Sequence, residues 1–149
     1  MTLSSRDIKV GETRESVLVE DLKRTRIVQY AGASGDFNPL HTDERFAVEA
    51  AGYPGVFAHG MLTMGMTGRV LTDWVGPESL LRYGVRFKAQ VWPGDTLTAT
   101  ATVESIEDTP DAPVAHFALR TVNQNGVEVV TGTAAARLDR VVPADHDRH

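Results

Sequence analysis

From residue 80 to residue 138 hydrophobic and polar side chains alternate along the chain. Tyr83, Val85, Phe87 and Ala89 are separated by Gly84, Arg86 and Lys88, with Arg82 leading; Leu97, Ala99, Ala101 and Val103 are separated by Thr98, Thr100 and Thr102. Successive side chains on an extended backbone point to opposite sides, so period two predicts strands with one apolar and one polar face. The runs Val114–Asn123 and Val127–Leu138 continue the series, and Pro93-Gly94-Asp95, Thr109–Pro113 and Asn125-Gly126 supply the turns between them. Four antiparallel strands are predicted here.

Before residue 80 the period changes to that of helices. Leu62, Met66, Val70 and Trp74 form one i, i+4 row of a helix predicted from about His59 to Trp74, the most apolar segment of the chain. Gly65 and Gly68 each cost that helix about 1 kcal/mol against alanine, which suggests a backbone that approaches a neighbour closely. Met61, Met64 and Met66 are read first as core packing and second as lining for an acyl chain. Upstream, acidic Glu20-Asp21 opens a predicted helix running to about Ala33, with Leu22, Ile27 and Tyr30 on its apolar face. Ser16–Glu20 alternates well enough to be a short strand or an extended entry, and Thr42 or Asp43 caps a short helix over Glu44–Ala51 that Gly52 and Pro54 end. A long apolar helix with strands able to wrap it is an α+β architecture: one domain over residues 1–141, then a polar tail over 142–149.

Composition narrows the function classes. A chain of 149 residues, 42% hydrophobic and 23% charged, has the size and make-up of one soluble domain with one core. A net charge of -5 argues against a nucleic-acid partner, which selects a basic excess. Met1–Lys9 lacks an apolar stretch and no run approaches the roughly 18 apolar residues of a membrane helix, so a cytoplasmic protein without membrane association is expected. The absence of cysteine excludes disulfides and thiol nucleophiles.

The chemistry concentrates in Tyr30–His41. Asp36 and His41 lie about 140° apart on a helix and on opposite faces of a strand, so regular structure cannot bring them together. Gly35 frees the backbone before Asp36 and Pro39 biases Asn38 away from helix, which predicts an irregular turn able to aim both side chains at one spot. A carboxylate and an imidazole so aimed can hold a water and move protons to and from it. Two plainer readings stand beside this one: Asp36 and Asn38 capping a turn with His41 exposed, or a metal site of Asp36, His41 and His59, whose spacing fits no standard ligand pattern. Gly60, at the N-terminus of the apolar helix, offers an unpaired amide for negative charge, or is simply the glycine on which that helix starts.

The segment Gly35-Asp36-Phe37-Asn38-Pro39-Leu40-His41 resembles the signature of the MaoC-like (R)-specific enoyl-thioester hydratases and dehydratases of the hotdog superfamily. Ala58-His59-Gly60-Met61-Leu62-Thr63 is similar to that family's second block, and Arg86-Phe87-Lys88-Ala89 with Pro93-Gly94-Asp95 to its strand-and-turn block, in the same order. The resemblance implies a single hotdog fold, a sheet wrapped around the central helix, and syn hydration of trans-2-enoyl thioesters in fatty-acid metabolism. It implies Asp36 and His41 as the catalytic pair. The Gly60 amide would receive the thioester oxygen; Ser34, Asn38 and His59 would support the pair or touch substrate; Arg86 and Lys88 would receive the phosphates of coenzyme A or an acyl carrier protein. No metal and no separate cofactor is implied, since the carrier thioester is part of the substrate. A dimer is implied because a lone hotdog leaves sheet edges open; the pairing is with itself or, as in relatives of mycolate synthesis, with a different hotdog subunit. A hotdog acyl thioesterase and a non-catalytic acyl-thioester-binding partner subunit are the alternatives.

Overall fold

The computed structural model describes Leu3 and residues 7–139. The predicted end of the domain at residue 141 and the tail over 142–149 lie outside the described residues. Strand β1 (Thr13–Val19) leads to helix α1 (Arg24–Ser34), two short turns of helix, the long helix α2 (Gly60–Val75), and then β2 (Leu80–Phe87), β3 (Leu97–Asp108), β4 (Pro113–Val122) and β5 (Glu128–Arg137). The five strands form one antiparallel sheet in the order β1-β3-β4-β5-β2. It wraps α2, the hotdog arrangement.

The period-two pattern of β3 holds as written: Leu97, Ala99, Ala101 and Val103 are buried. It stops where the register with β4 shifts between Val103 and Ser105, a bulge that turns the rest of the strand outward. The predicted row on α2 holds too, with Leu62, Met66, Val70 and Trp74 all buried. The second half of α2 packs on alanines of the sheet, among them Ala99, Ala101, Ala134 and Ala136, whose short side chains let the helix axis come near. The first half closes a second cluster with Leu22 and Ile27 of the α1 region, Val91 and Val129. Burying each such leucine or valine contributes about 1.5–3 kcal/mol, which fixes α2 along its whole length.

Several boundaries differ from the sequence pattern. Of the two readings of Ser16–Glu20 the strand holds, but it starts earlier and ends at Val19: Thr13–Val19 is an edge strand paired with β3 and adds a fifth strand to the four after residue 80. Helix α1 starts at Arg24, not at Glu20-Asp21. The cause is local: Leu22 N–H donates to the Asp95 carbonyl (2.9 Å), the Leu22 carbonyl accepts from Gly94 N–H (2.7 Å), and Asp21 takes a left-handed φ of 49° to make that pairing. Leu22 is therefore clamped to a loop and cannot be helical. The short helix after the turn is capped by Asp43, whose Oδ1 accepts from Phe46 N–H (3.1 Å), but Phe46–Ala50 winds as a π-helix. Met61 is 56% exposed, contrary to its reading as core, whereas Met66 is buried. A Cβ on Gly68 would meet the Tyr83 ring at 3.2 Å, the close approach expected; one on Gly65 would meet nothing within 4 Å among the described residues, so they give that glycine no such reason.

Candidate active site

The site begins where α1 ends. Gly35 takes φ 75° and returns its N–H to the Ala31 carbonyl, stopping the helix. Three side-chain oxygens then each accept a backbone N–H two residues on: Ser34 Oγ from Asp36 (3.1 Å), Asp36 Oδ1 from Asn38 (3.2 Å) and Asn38 Oδ1 from Leu40 (3.0 Å). This relay of short turns ends in a 3-10 turn over Pro39–His41 that brings His41 back toward Asp36. Ser34 and Asn38 thus take part in building the turn. Arg24 pairs with Glu44 across the base of the segment; that hydrogen bond holds the Glu44 carboxyl below its usual range and the guanidinium above its own.

His41 is fixed through a backbone oxygen. Its Nδ1 lies 2.7 Å from the Phe57 carbonyl. A carbonyl only accepts, so Nδ1 carries the proton and Nε2 keeps a free lone pair. Beneath it lies His59, 2% exposed, with the two rings stacked at 3.8 Å. By the same logic His59 Nε2–H donates to the Asp36 carbonyl (3.0 Å), and Tyr30 packs edge-on against the His59 ring at 4.8 Å. An Asp36 carboxylate oxygen and one ring nitrogen from each histidine lie within 4.8 Å of one another. A single water spans such a gap, since two hydrogen bonds of about 2.8 Å reach that far. The same donors are a geometric candidate for a cation, but stacked imidazoles run their in-plane lone pairs side by side instead of converging at about 2.0–2.1 Å on one ion.

Gly60, the first residue of α2, opens on a cavity of about 300 Å³ whose wall includes Phe57, Ala58, Thr63, Phe87 and Lys88. Phe57 joins the two halves, holding His41 through its carbonyl and lining the cavity beside Gly60. A Cβ on Gly60 would come within 3.0–3.1 Å of the Phe87 ring, so only glycine leaves the helix start open here. Lys88 stands at this cavity. Arg86 does not: it lines a separate depression with Gly84, Val85 and Thr131. The structure groups Asp36 with His41 and His59, and Gly60 with Lys88 around a cavity that Phe57 joins to them; Ser34 and Asn38 build the turn, and Arg86 lines another depression. The Phe57 carbonyl and the histidine stack escaped the sequence reading, because a backbone oxygen and a ring contact across 18 residues leave no spacing signal.

A five-stranded sheet wrapped around a helix, with the Asp36–His41 turn packed against the start of that helix through His59, is the hotdog arrangement. Residues 7–131 match the family described as MaoC like domain. The chain is 30% identical over 138 residues to the (R)-specific enoyl-CoA hydratase of Aeromonas caviae, covering 91% of this chain and 99% of that protein. A solved (R)-hydratase from A. caviae, involved in PHA biosynthesis, superposes with a TM-score of 0.78 at 29% identity, covering 90% of this chain and 99% of that one. The ChsH1–ChsH2 complex from Mycobacterium tuberculosis superposes with a TM-score of 0.74 at 26% identity over 87% of this chain and 98% of that one. The chain belongs to the MaoC-like hydratase and dehydratase family.

Proposed function

We propose that the protein reversibly hydrates trans-2-enoyl thioesters, carried on coenzyme A or an acyl carrier protein, to (R)-3-hydroxyacyl thioesters. The observation that carries this reading is the meeting of the Asp36 carboxylate and the His41 imidazole within one water's span, with the Phe57 carbonyl leaving Nε2 free to take a proton. In the hydration direction the water oxygen bonds to C3 and its proton passes to the pair. Electron density moves to the thioester oxygen, which accepts from Gly60 N–H, where the unpaired amide and the helix dipole favour negative charge. An oxyanion donor of this kind lowers a barrier by about 2.7–4 kcal/mol. The pair then returns a proton to C2 on the same face, giving syn addition; reversal is dehydration. Neither a metal nor a further cofactor is needed for this proton bookkeeping. His59 acts as a support, holding Asp36 by its carbonyl and His41 by its ring face. Lys88, in the wall of the Gly60 cavity, and Arg86, two residues before it, are the cations that would receive carrier phosphate.

The outer edge of β2 ends the sheet and exposes Leu81 and Phe87, which favours pairing with a second hotdog subunit. A homodimer is the simplest such pairing. The ChsH1–ChsH2 likeness keeps a pairing of unlike subunits as the alternative. Among the described residues no helix is long and apolar enough to cross a membrane. The test is incubation with crotonyl-CoA, following enoyl absorbance, free thiol and the configuration of the product. Loss of absorbance without thiol release and with an (R)-3-hydroxy product is expected. Thiol release points to a thioesterase instead; no change from folded protein points to a binding or partner subunit.

A further inference from the structure

We propose that the Thr63 hydroxyl is a second donor to the thioester oxygen, acting with Gly60 N–H; this rests on the hydratase reading of the site. Thr63 is 1% exposed, and its Oγ1 is buried without a hydrogen-bond partner. That is unusual for a threonine inside a helix, whose hydroxyl ordinarily returns to a carbonyl one turn back. In the same helix the Thr72 hydroxyl reaches the Arg69 carbonyl (3.5 Å) and Thr67 pairs with Thr121 (2.6 Å). The carbonyl one turn before Thr63 is that of His59, which already accepts from Leu62 N–H (3.1 Å) and Thr63 N–H (3.4 Å).

Thr63 stands in the wall of the cavity on which Gly60 opens. Around it the wall is mostly apolar, with Ala58, Val91, Val129 and Val130; Gln90 supplies a side-chain acceptor there, but Thr63 Oγ1 makes no hydrogen bond to it. A buried donor of this kind is satisfied by what enters. Helix geometry says which atom: Thr63 lies about 4.5 Å along the axis from Gly60 and about 60° around it, and its Cα–Cβ bond tilts back toward the N-terminus. The hydroxyl and the Gly60 amide therefore open toward the same side, where one oxygen can accept from both. On an enoyl thioester that oxygen is the carbonyl, whose negative charge grows as water adds at C3. The internal competitor is His59 Nδ1, also buried and unpartnered one turn earlier, which would accept from the same hydroxyl.

Thr63→Val and Thr63→Ser separate these roles. With crotonyl-CoA, Thr63→Val is expected to lose about 10²-fold in kcat with little change in KM, and Thr63→Ser to stay within about threefold of wild type, as for removal and retention of an oxyanion donor. Thr63→Val should melt no lower than wild type, because it removes an unpartnered buried hydroxyl. Isothermal titration with acetoacetyl-CoA, whose enolate places charge on the thioester oxygen, should show about tenfold weaker binding by Thr63→Val. Wild-type kcat in Thr63→Val overturns the proposal. So does a lowered melting temperature with unchanged acetoacetyl-CoA affinity, which would assign the hydroxyl to His59. Should wild type hydrate no enoyl thioester, the hydratase reading fails by itself and the titration alone decides Thr63: equal affinity, or binding by neither protein, overturns it.

Discussion

Replacing His59 by phenylalanine isolates what this buried residue does. The substitution keeps a flat ring under His41 and removes the N–H that holds the Asp36 carbonyl at 3.0 Å. A neutral hydrogen bond is worth about 0.5–1.5 kcal/mol net, and Asp36 is exposed, so water can replace the lost donor. The change also deletes a buried Nδ1 that has no partner, which offsets part of the loss. The retained ring contact keeps its about 0.5–1.5 kcal/mol. Net destabilisation of about 1 kcal/mol or less follows, a melting shift of no more than about 2–4 °C for a chain of this size. Activity should respond far more. With its tether gone the Asp36 turn can drift, and a misplacement of about 1 Å costs up to about 10²-fold in rate. The assay is kcat and KM with crotonyl-CoA for His59→Phe, Asp36→Asn and the double variant, with melting curves of each. A kcat loss of about 10–100-fold at near-constant KM is expected, with the double variant no slower than Asp36→Asn, because His59 acts through the pair. A kcat within about twofold of wild type, or a double variant showing the product of the two single losses, would refute the support role.

Three further outcomes follow from particular packing. Gly65→Ala should raise the melting temperature by about 2–4 °C, since helix propensity improves by about 1 kcal/mol and nothing among the described residues meets the new Cβ; a drop would show that another segment or subunit covers that face. Gly60→Ala places a methyl 3.0–3.1 Å from the half-exposed Phe87 ring, which can tilt away, so folding should survive while kcat/KM falls at least about tenfold; undiminished activity would remove Gly60 from the site. Burial pushes the Tyr83 phenol from 10.0 up to about 12. The unfolded chain then releases a proton that the folded one keeps, so stability falls as pH rises from about 10 to about 12. Tyr83→Phe should lose the hydrogen bond to the Met64 carbonyl and with it that share of the alkaline loss; denaturation at about pH 9 and about pH 11 compares the two, and equal alkaline losses would contradict it.

Elements whose fate depends on neighbours in sequence were legible. The β3 alternation, the Leu62–Trp74 row and the Asp36–His41 turn are set by period and by Gly35 and Pro39, and each stands in the structure where the pattern put it. Elements that depend on distant partners were not. Strand β1 sits at a sheet edge with both faces partly open, so its alternation is weak and its length comes from pairing with β3. Glu20-Asp21 looks like a helix start, yet Leu22 is held by Gly94 and Asp95, more than seventy residues on. Arg86 and Lys88 lie on one face of an idealised strand, but β2 ends at Phe87 and only Lys88 reaches the cavity. The orientation of His41 rests on a carbonyl, which no side-chain pattern reports.

The most direct test of the account is the rate of enoyl absorbance loss from crotonyl-CoA by wild type, Asp36→Asn and His41→Ala at equal concentration and with matched melting curves. Removing either member of a water-activating pair should cost about 10³-fold or more, with (R)-3-hydroxybutyryl-CoA as the wild-type product. Either variant working within about tenfold of wild type would contradict the account, because the water would then be activated by other groups.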